Sequence, residues 1–308
     1  MASKGLLRSS LSDSLTSQPL AVVVAALMRI DRFFDILNKP IAALSMIFVV
    51  VTVSVLLYFG YYQSKTPTPL PTELTDVGVV LFSDTFDRDA DTFVPPWDLT
   101  RRAATDRLTT DSTVVRKGTH SAKFRVHDSD ALAGTNTAPQ AQLEYHNKFC
   151  VGDERYLGWS WYLPSNFPAN MPSGSWINLG QIGYGAPWGD PPLHFSYKGS
   201  SIDLLNSQNG QLRTVASIPT QRGQWQDVVA HVKFSKYTSV GFVELWVNGQ
   251  PVRMSNGSTK QYMNTLNQKA LGCGGWQPTL YRSKGYWEWI TLYYDEAKVG
   301  TSYAAVAP

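Results

Sequence analysis

The segment 175–198 combines two strand-like runs with a loop rich in glycine and proline, and it carries side chains that could exchange protons or bind anions. In the second run apolar and polar residues alternate, so one face is apolar and the other presents His194, a serine and Lys198. Gln181 ends the first run and would reach the same surface if the two strands pair. The loop contains Trp188, and loops of this kind on a rigid sheet often carry function. His194 and Lys198 are equally compatible with ordinary solvated positions.

A second polar face is predicted between residues 140 and 146. Gln140, Gln142, Glu144 and His146 alternate there with apolar residues, so the four side chains would project from one side of a strand. Such a face offers several hydrogen-bonding groups to one ligand.

Two tryptophans are candidates for stacking on a sugar ring. The chain has ten Trp and fifteen Tyr, and the flat face of an indole suits the C–H face of a pyranose. Trp188 lies in the glycine- and proline-rich loop, and Trp246 lies in a strand-like run. Trp246 is equally compatible with a packing role.

These residues need a scaffold of many short strands. From residue 77 to the end, strand-like runs alternate with turn signals, and no long helical pattern interrupts them. The clearest hairpin is GFVELWVNGQPV, in which Asn248 and Gly249 suit a turn that requires positive φ. The pattern predicts one all-β domain over residues 77–308, a sandwich or jelly roll.

The preceding residues have a different organisation. Residues 1–40 are predicted to be a cytoplasmic tail with an amphipathic helix, and residues 63–76 a linker rich in proline and threonine. Residues 41–62 contain no charged residue and are numerous enough to span a bilayer as one transmembrane helix. Basic residues are concentrated before this run, which predicts a cytoplasmic N-terminus and an extracytoplasmic C-terminal domain. A cleaved signal peptide is the alternative, but the apolar run is long and begins deep in the chain.

Charge and cysteine content narrow the possible functions. The formal net charge is +3 without a long basic run, which gives little support to nucleic-acid binding. Cys150 and Cys273 have no spacing typical of a zinc site. In an extracytoplasmic domain they could form one disulfide that closes a long loop, or they could be two separate buried thiols.

Several segments occur along the chain in an order that is moderately specific for one protein family. They are FSDTFDRD, RKGTHSAKFRV, RYLGWSWYLPSNFP, the Gln181 strand with its PPLHFSYKG partner, WQDVVAHVKFS with GFVELWVNGQPV, PTLYRSK and LYYDEAKVG. Together they resemble the polysaccharide lyase family of the heparin lyase I and glucuronan lyase type. The resemblance covers roughly residues 79–300 and implies a concanavalin A-like β-jelly roll.

The resemblance also implies a reaction, the β-elimination of a uronic-acid polysaccharide. A donor must neutralise the uronate carboxylate, a base must remove the C5 proton, and an acid must protonate the leaving O4. Gln181 matches the family's neutralising amide and Tyr281, in TLYRS, matches its acid. The alternatives are a strand-end amide that satisfies loop backbone and a partly buried sheet tyrosine.

The chain departs from the family pattern at three positions. Gly183 stands where the family often has a histidine, so His194 is the nearest replacement for the base. Gln140 and Gln142 stand where the family often has an arginine and a glutamate. The expected catalytic residues are therefore Gln181, His194 and Tyr281. The expected substrate-binding residues are Gln140, Gln142, Lys198, Trp188 and Trp246.

Two other functions remain open at this point. A binding module could have lost the usual histidine and arginine while keeping the surface, and the NG hairpin and LYYDEAKVG also occur in lectin-like modules. A glycoside hydrolase of lectin-like fold is disfavoured, because the chain lacks the ExDxE motif with two closely spaced carboxylates.

A structural calcium ion is also predicted. Asp84 and Asp87 lie near the first strand and Asp295 near the last, and the terminal strands of such jelly rolls are neighbours. Carboxylate oxygens are the ligands that Ca²⁺ prefers. The alternative is two solvated strand ends. The sequence as a whole predicts a membrane-anchored lyase that acts on an acidic polysaccharide outside the cytoplasm.

Overall fold

A computed structural model describes residues 78–89, 91–130, 138–185, 191–208, 210–267 and 273–308. The second of two compact units, Thr75–Pro308, contains all of them. The predicted tail, amphipathic helix, transmembrane helix and linker lie outside these residues, as does Trp188. Within the described ranges, no helix is both long and apolar enough to cross a membrane.

Almost all of the regular secondary structure in the described chain is β-strand. In chain order the strands are β1 Val80–Asp84, β2 Leu99–Arg102, β3 Leu108–Asp111, β4 Ser121–His127, β5 Gln140–Cys150, β6 Glu154–Tyr162, β7 Ile177–Tyr184, β8 Leu193–Tyr197, β9 Ser201–Gln208, β10 Gln211–Pro219, β11 Trp225–Lys233, β12 Phe242–Val247, β13 Gln250–Pro251, β14 Lys260–Tyr262, β15 Cys273–Arg282 and β16 Trp289–Gly300. A 3-10 turn, Thr105–Arg107, and a short helix α1, Tyr303–Val306, complete the described elements.

The strands form two antiparallel sheets. Sheet A has the order β13-β12-β11-β6-β16-β4-β3, with β1 also paired to β16 and β14 to β12. Sheet B has the order β10-β9-β8-β7-β15-β5-β2. The all-β sandwich is confirmed and is consistent with a jelly roll. The first and last strands are neighbours, as expected, because β1 pairs with β16.

Large aromatic side chains fill the space between the sheets. Trp159 of sheet A contacts Trp276 of sheet B with ring centroids 5.6 Å apart, and Phe195 of sheet B at 5.3 Å. All three are almost fully buried. Full burial of one such side chain contributes about 1.5–3 kcal/mol, so the sandwich has a substantial core to fix its two outer faces.

Two local features follow from the sequence. Asn248 and Gly249 both have positive φ, 49° and 76°, which confirms the predicted hairpin turn. Cys150 and Cys273 are bonded to each other across 123 residues of chain. They join the end of β5 to the start of β15, which decides between the two alternatives left open for the cysteines.

Candidate active site

The predicted site residues collect on the polar face of sheet B, the face that points away from the core. Gln181 on β7 lies opposite His194 on β8. A register shift follows Asn178 and absorbs one extra residue, so that Asn178 faces Ser196 and shares this side of the strand with Gln181. The local bulge therefore places two amides of β7 on one face although they are three residues apart.

Tyr281 lies on the other side of β7, on β15. It is opposite Asn178 of β7 and opposite Gln140 of β5. Its ring packs edge-on against Trp176, with centroids 4.7 Å apart. Burial raises the pKa of Tyr281 above its usual value of 10.0, so its hydroxyl keeps its proton at neutral pH and can donate it.

A hydrogen-bonded network surrounds Glu144, the carboxylate at the β5 end of this face. Its Oε1 accepts the Nε2–H of Gln142 at 2.8 Å and the Nε–H of Arg101, and its Oε2 contacts Nε2 of His146. Burial raises the pKa of Glu144, but the bonds from His146 and Gln142 and the charge of Arg101 outweigh it and lower the pKa. Glu144 is therefore a buried, ionised anchor, and Gln142 holds it.

Three residues on this face were missed from the sequence: Arg101, Tyr184 and Gln277. Gln277 lies opposite Gln181 and is 1% exposed, and neither its Oε1 nor its Nε2 has a hydrogen-bond partner among the described residues. Because it alternates with Thr279 and Tyr281, the period of a strand could have revealed it. Buried amides without a hydrogen-bond partner are uncommon in proteins.

Tyr184 continues β7 beyond the predicted end of that strand. Burial raises the pKa of its phenol, the charge of Arg101 lowers it, and Glu144 and Tyr281 raise it further. These interactions place the phenol near the Glu144 network and Tyr281. Alternation along the strand did not reveal Tyr184, because Gly183 interrupts the apolar pattern.

His194 is half-buried, and its contact with Asn178 on this face is weak. Its Nδ1 lies 3.5 Å from Nδ2 of Asn178, at the limit of a hydrogen bond. The ring is level with Gln181, one strand away.

Gly183, in the position of the family's histidine, has no room for a side chain. Its φ is +83°, and a Cβ there would lie 2.1 Å from the carbonyl oxygen of Thr265 and 2.6 Å from Cγ of Pro192. The histidine is therefore excluded by the backbone, rather than simply replaced.

One expected substrate-binding residue lies away from this cluster. Trp246 is on β12 of sheet A, because β12 pairs with β11, and its ring contacts Tyr303 at 5.3 Å. It does not belong to the polar face of sheet B, and its role in substrate binding stays a prediction. Lys198 follows the end of β8 and is exposed.

The predicted calcium ligands have separate partners. Asp84 pairs with Arg88, and Asp87 and Asp295 accept backbone N–H groups from the loop 116–120. Burial raises the pKa of Asp295 to about 7. Nowhere in the described ranges do three His, Cys, Asp or Glu side chains form a group suited to a metal. The donor set does not fit a shared calcium ion, and the ion stays a prediction from the sequence with no step assigned to it.

Comparison with known protein structures agrees with the two-sheet fold. The structure resembles an endo-β-1,4-glucuronan lyase from the fungus Trichoderma reesei, with a TM-score of 0.53 and 18% identity, over 75% of this chain and 99% of that one. It also resembles a GH131 β-glucanase catalytic domain from Podospora anserina, with a TM-score of 0.50 and 12% identity, again over 75% and 99%. At these identities the likeness shows the fold alone.

The sequence itself decides the family. No curated protein sequence is recognisably similar to the chain. The family profile described as polysaccharide lyase matches residues 90–298, which include every described strand on which Gln181, His194 and Tyr281 lie. The chain therefore belongs to the polysaccharide lyase family.

Proposed function

We propose that this polysaccharide lyase cleaves a uronic-acid polysaccharide by β-elimination on the polar face of sheet B. The observation that carries the proposal is the convergence of an amide, an imidazole and a phenol, Gln181, His194 and Tyr281, on three neighbouring strands. The glucuronan lyase of similar fold acts on a polymer of this class, which supports the choice of substrate.

The register leaves room for a sugar ring between the reacting groups. His194 and Tyr281 lie on either side of β7, two inter-strand spacings or about 10 Å apart across the strands and about 7 Å apart along them, so their backbones are about 12 Å apart. Tyr281 is level with Asn178, and Gln181 is one pleat period further along β7, about 7 Å away. A uronate bound across β7 would reach all three side chains.

The proposed reaction moves one proton off the sugar and another onto the leaving group. Gln181 donates its amide N–H to the uronate carboxylate, which makes the C5 proton more acidic. His194 removes that proton, the electron pair forms the C4–C5 double bond, and the C4–O4 bond breaks. Tyr281 donates its proton to O4, and the product is an unsaturated uronate.

The direct test incubates the protein with glucuronan, alginate, heparin or pectin. The ultraviolet absorbance of the unsaturated product measures its formation. The wild type should cleave at least one of them. Tyr281→Phe removes only a hydroxyl, so the fold should persist while the rate falls about 10²- to 10⁴-fold. Gln181→Ala should also slow the chemical step. Equal cleavage by Tyr281→Phe would overturn the assignment, and binding without cleavage by the wild type would favour a binding module.

The pH profile distinguishes two candidates for the base. If His194 is the base, the wild-type profile should have an acidic limb that reports protonation of a histidine, and His194→Ala should abolish turnover. A raised pKa on Tyr281 means that its acid form persists above pH 10.0, so the alkaline limb should lie beyond that value. If His194→Ala costs little, a tyrosine must serve as the base instead.

We also propose that the enzyme is anchored by residues 41–62 and works outside the cytoplasm. The Cys150–Cys273 disulfide supports an oxidising compartment. The uncharged run and the basic residues before it support the anchor and its orientation.

A further inference from the structure

We propose that Arg101, on the edge strand β2, binds a substrate carboxylate and gives this site its preference for an acidic polymer. The inference rests on the proposed function and deepens it. It supplies, from a neighbouring strand, the cation that the sequence of β5 lacks at Gln140 and Gln142.

Register places Arg101 on the polar face of sheet B. It lies opposite Gln142, while its neighbour Arg102 lies opposite Ala141, a core residue. Successive residues of a strand point to opposite faces. The side chain of Arg101 is 34% exposed, whereas that of Glu144 is 0% exposed, so the guanidinium bridges a buried anchor and the open surface.

The buried anchor holds the guanidinium in one orientation. Glu144 engages the Nε–H of Arg101, and Nε–H is one of five donors on a guanidinium. Glu144 is fixed in turn by Gln142, whose Oε1 accepts the hydroxyl of Thr279 at 3.2 Å. A cation held by packing and hydrogen bonds binds an anion without first losing side-chain freedom.

The charge pattern of the face shows why this cation matters. Apart from the ionised Glu144 and the imidazole of His146 that contacts it, the described polar residues that β5, β7 and β15 place beside it are amides and hydroxyls: Gln140, Gln142, Asn178, Gln181, Gln277, Thr279 and Tyr281. An amide can donate to a carboxylate but cannot balance its charge. Arginine can do both, and its planar fork fits a carboxylate.

Register also places Arg101 on the same side as the reacting phenol. It lies opposite Gln142, which lies opposite Thr279, two residues before Tyr281 on β15. A carboxylate on Arg101 would therefore belong to a sugar that extends from the reacting ring toward β2, rather than to a remote part of the polymer.

The experiment compares Arg101→Gln, Arg101→Lys and the control Arg102→Gln in the full-length enzyme. Arg102 has the same charge on the same strand, but its guanidinium donates to the carbonyl oxygens of Thr105 and Leu108. Each protein is assayed on the uronate polymer and, for binding, on the same polymer with its carboxylates reduced to alcohols.

Arg101→Gln should raise KM or weaken binding of the acidic polymer about ten- to hundredfold, the range for a hydrogen bond to a charged partner. Its binding of the reduced polymer should not change, so the preference for acid is lost. Arg101→Lys should keep part of the preference for the acidic polymer. The control Arg102→Gln should keep all of it. If Arg101→Gln leaves a buried charge and fails to fold, the Arg101→Gln, Glu144→Gln double variant removes both charges and keeps a hydrogen-bonding pair.

The outcomes separate the two proposals. If the wild type cleaves a uronate polymer and a folded Arg101→Gln variant keeps its KM and its preference for acid, the role of Arg101 is wrong and the lyase proposal stands. If the wild type binds the acidic polymer without cleaving it, the binding comparison still decides the role of Arg101. If the wild type neither binds nor cleaves any acidic polymer, both proposals are wrong.

Discussion

Gly183 occupies the position at which the resemblance to the lyase family leads us to expect a histidine. The sequence alone presents a missing base, since the resemblance expects histidine there. In the structure, the carbonyl of Thr265 and the ring of Pro192 occupy the space that any Cβ would need. The local backbone at Gly183 thus has no room for a histidine, and the proposed base, His194, lies on another strand.

We therefore expect Gly183→His to destabilise the domain and to leave the rate no higher. A positive φ costs a non-glycine residue on the order of 1–3 kcal/mol, and the close contact adds to this. Gly183→Ala and Gly257→Ala make a matched pair, because Gly257 has φ +82° and nothing within 4 Å of its missing Cβ. Chemical denaturation should show a larger loss for Gly183→Ala; equal losses would mean that the loop yields easily.

Gln277, Tyr281 and Gln140 show what alternation along one strand can and cannot reveal. The polar faces of β5 and β15 were readable from the sequence, since polar residues recur there at every second position. Which faces meet was not readable, because Tyr281 and Gln140 pair across 141 positions of chain. Arg101 escaped notice for the same reason, as its partner Glu144 is 43 residues away.

At the scale of elements, the strands were easier to predict than their partners. The two strand-like runs predicted within 175–198 correspond to β7 and β8, although β7 continues beyond Gln181 to Tyr184. The hairpin of Trp246 was predicted correctly, but the sequence did not show that it belongs to sheet A. Local turn chemistry fixes a hairpin, whereas the choice of sheet depends on packing over the whole domain.

The disulfide ties together the two strands that carry much of the site. Cys150 ends β5 and Cys273 begins β15. Replacing both cysteines with serine should lower the free energy of unfolding by about 2–4 kcal/mol, because the bond closes a loop of 123 residues. Denaturation of the double variant against the wild type measures this directly. An unchanged unfolding midpoint would show that sheet pairing alone holds β5 to β15.

At the scale of the whole molecule, the catalytic unit and the proposed anchor are formed by different parts of the chain. The unit Thr75–Pro308 contains both sheets, the core between them and the disulfide. The predicted domain start at residue 77 stays a prediction from the sequence, in which the proline- and threonine-rich linker ends where strand alternation begins.

The fragment 77–308 should consequently fold and act without the first 76 residues, whereas the full chain should remain with membranes after alkaline washing and need detergent for release. The uncharged run 41–62 is the physical reason, since about 20 apolar residues span the hydrocarbon layer.

Asn256, exposed in the sequence NGS, reports on which side of the membrane the domain lies. It should be glycosylated in a host that modifies this sequon, and Asn256→Gln should remove the mass difference. A soluble full-length product that lacks its first 60 or so residues would show a cleaved signal peptide instead, and an unmodified Asn256 on a membrane-bound chain would reverse the proposed orientation.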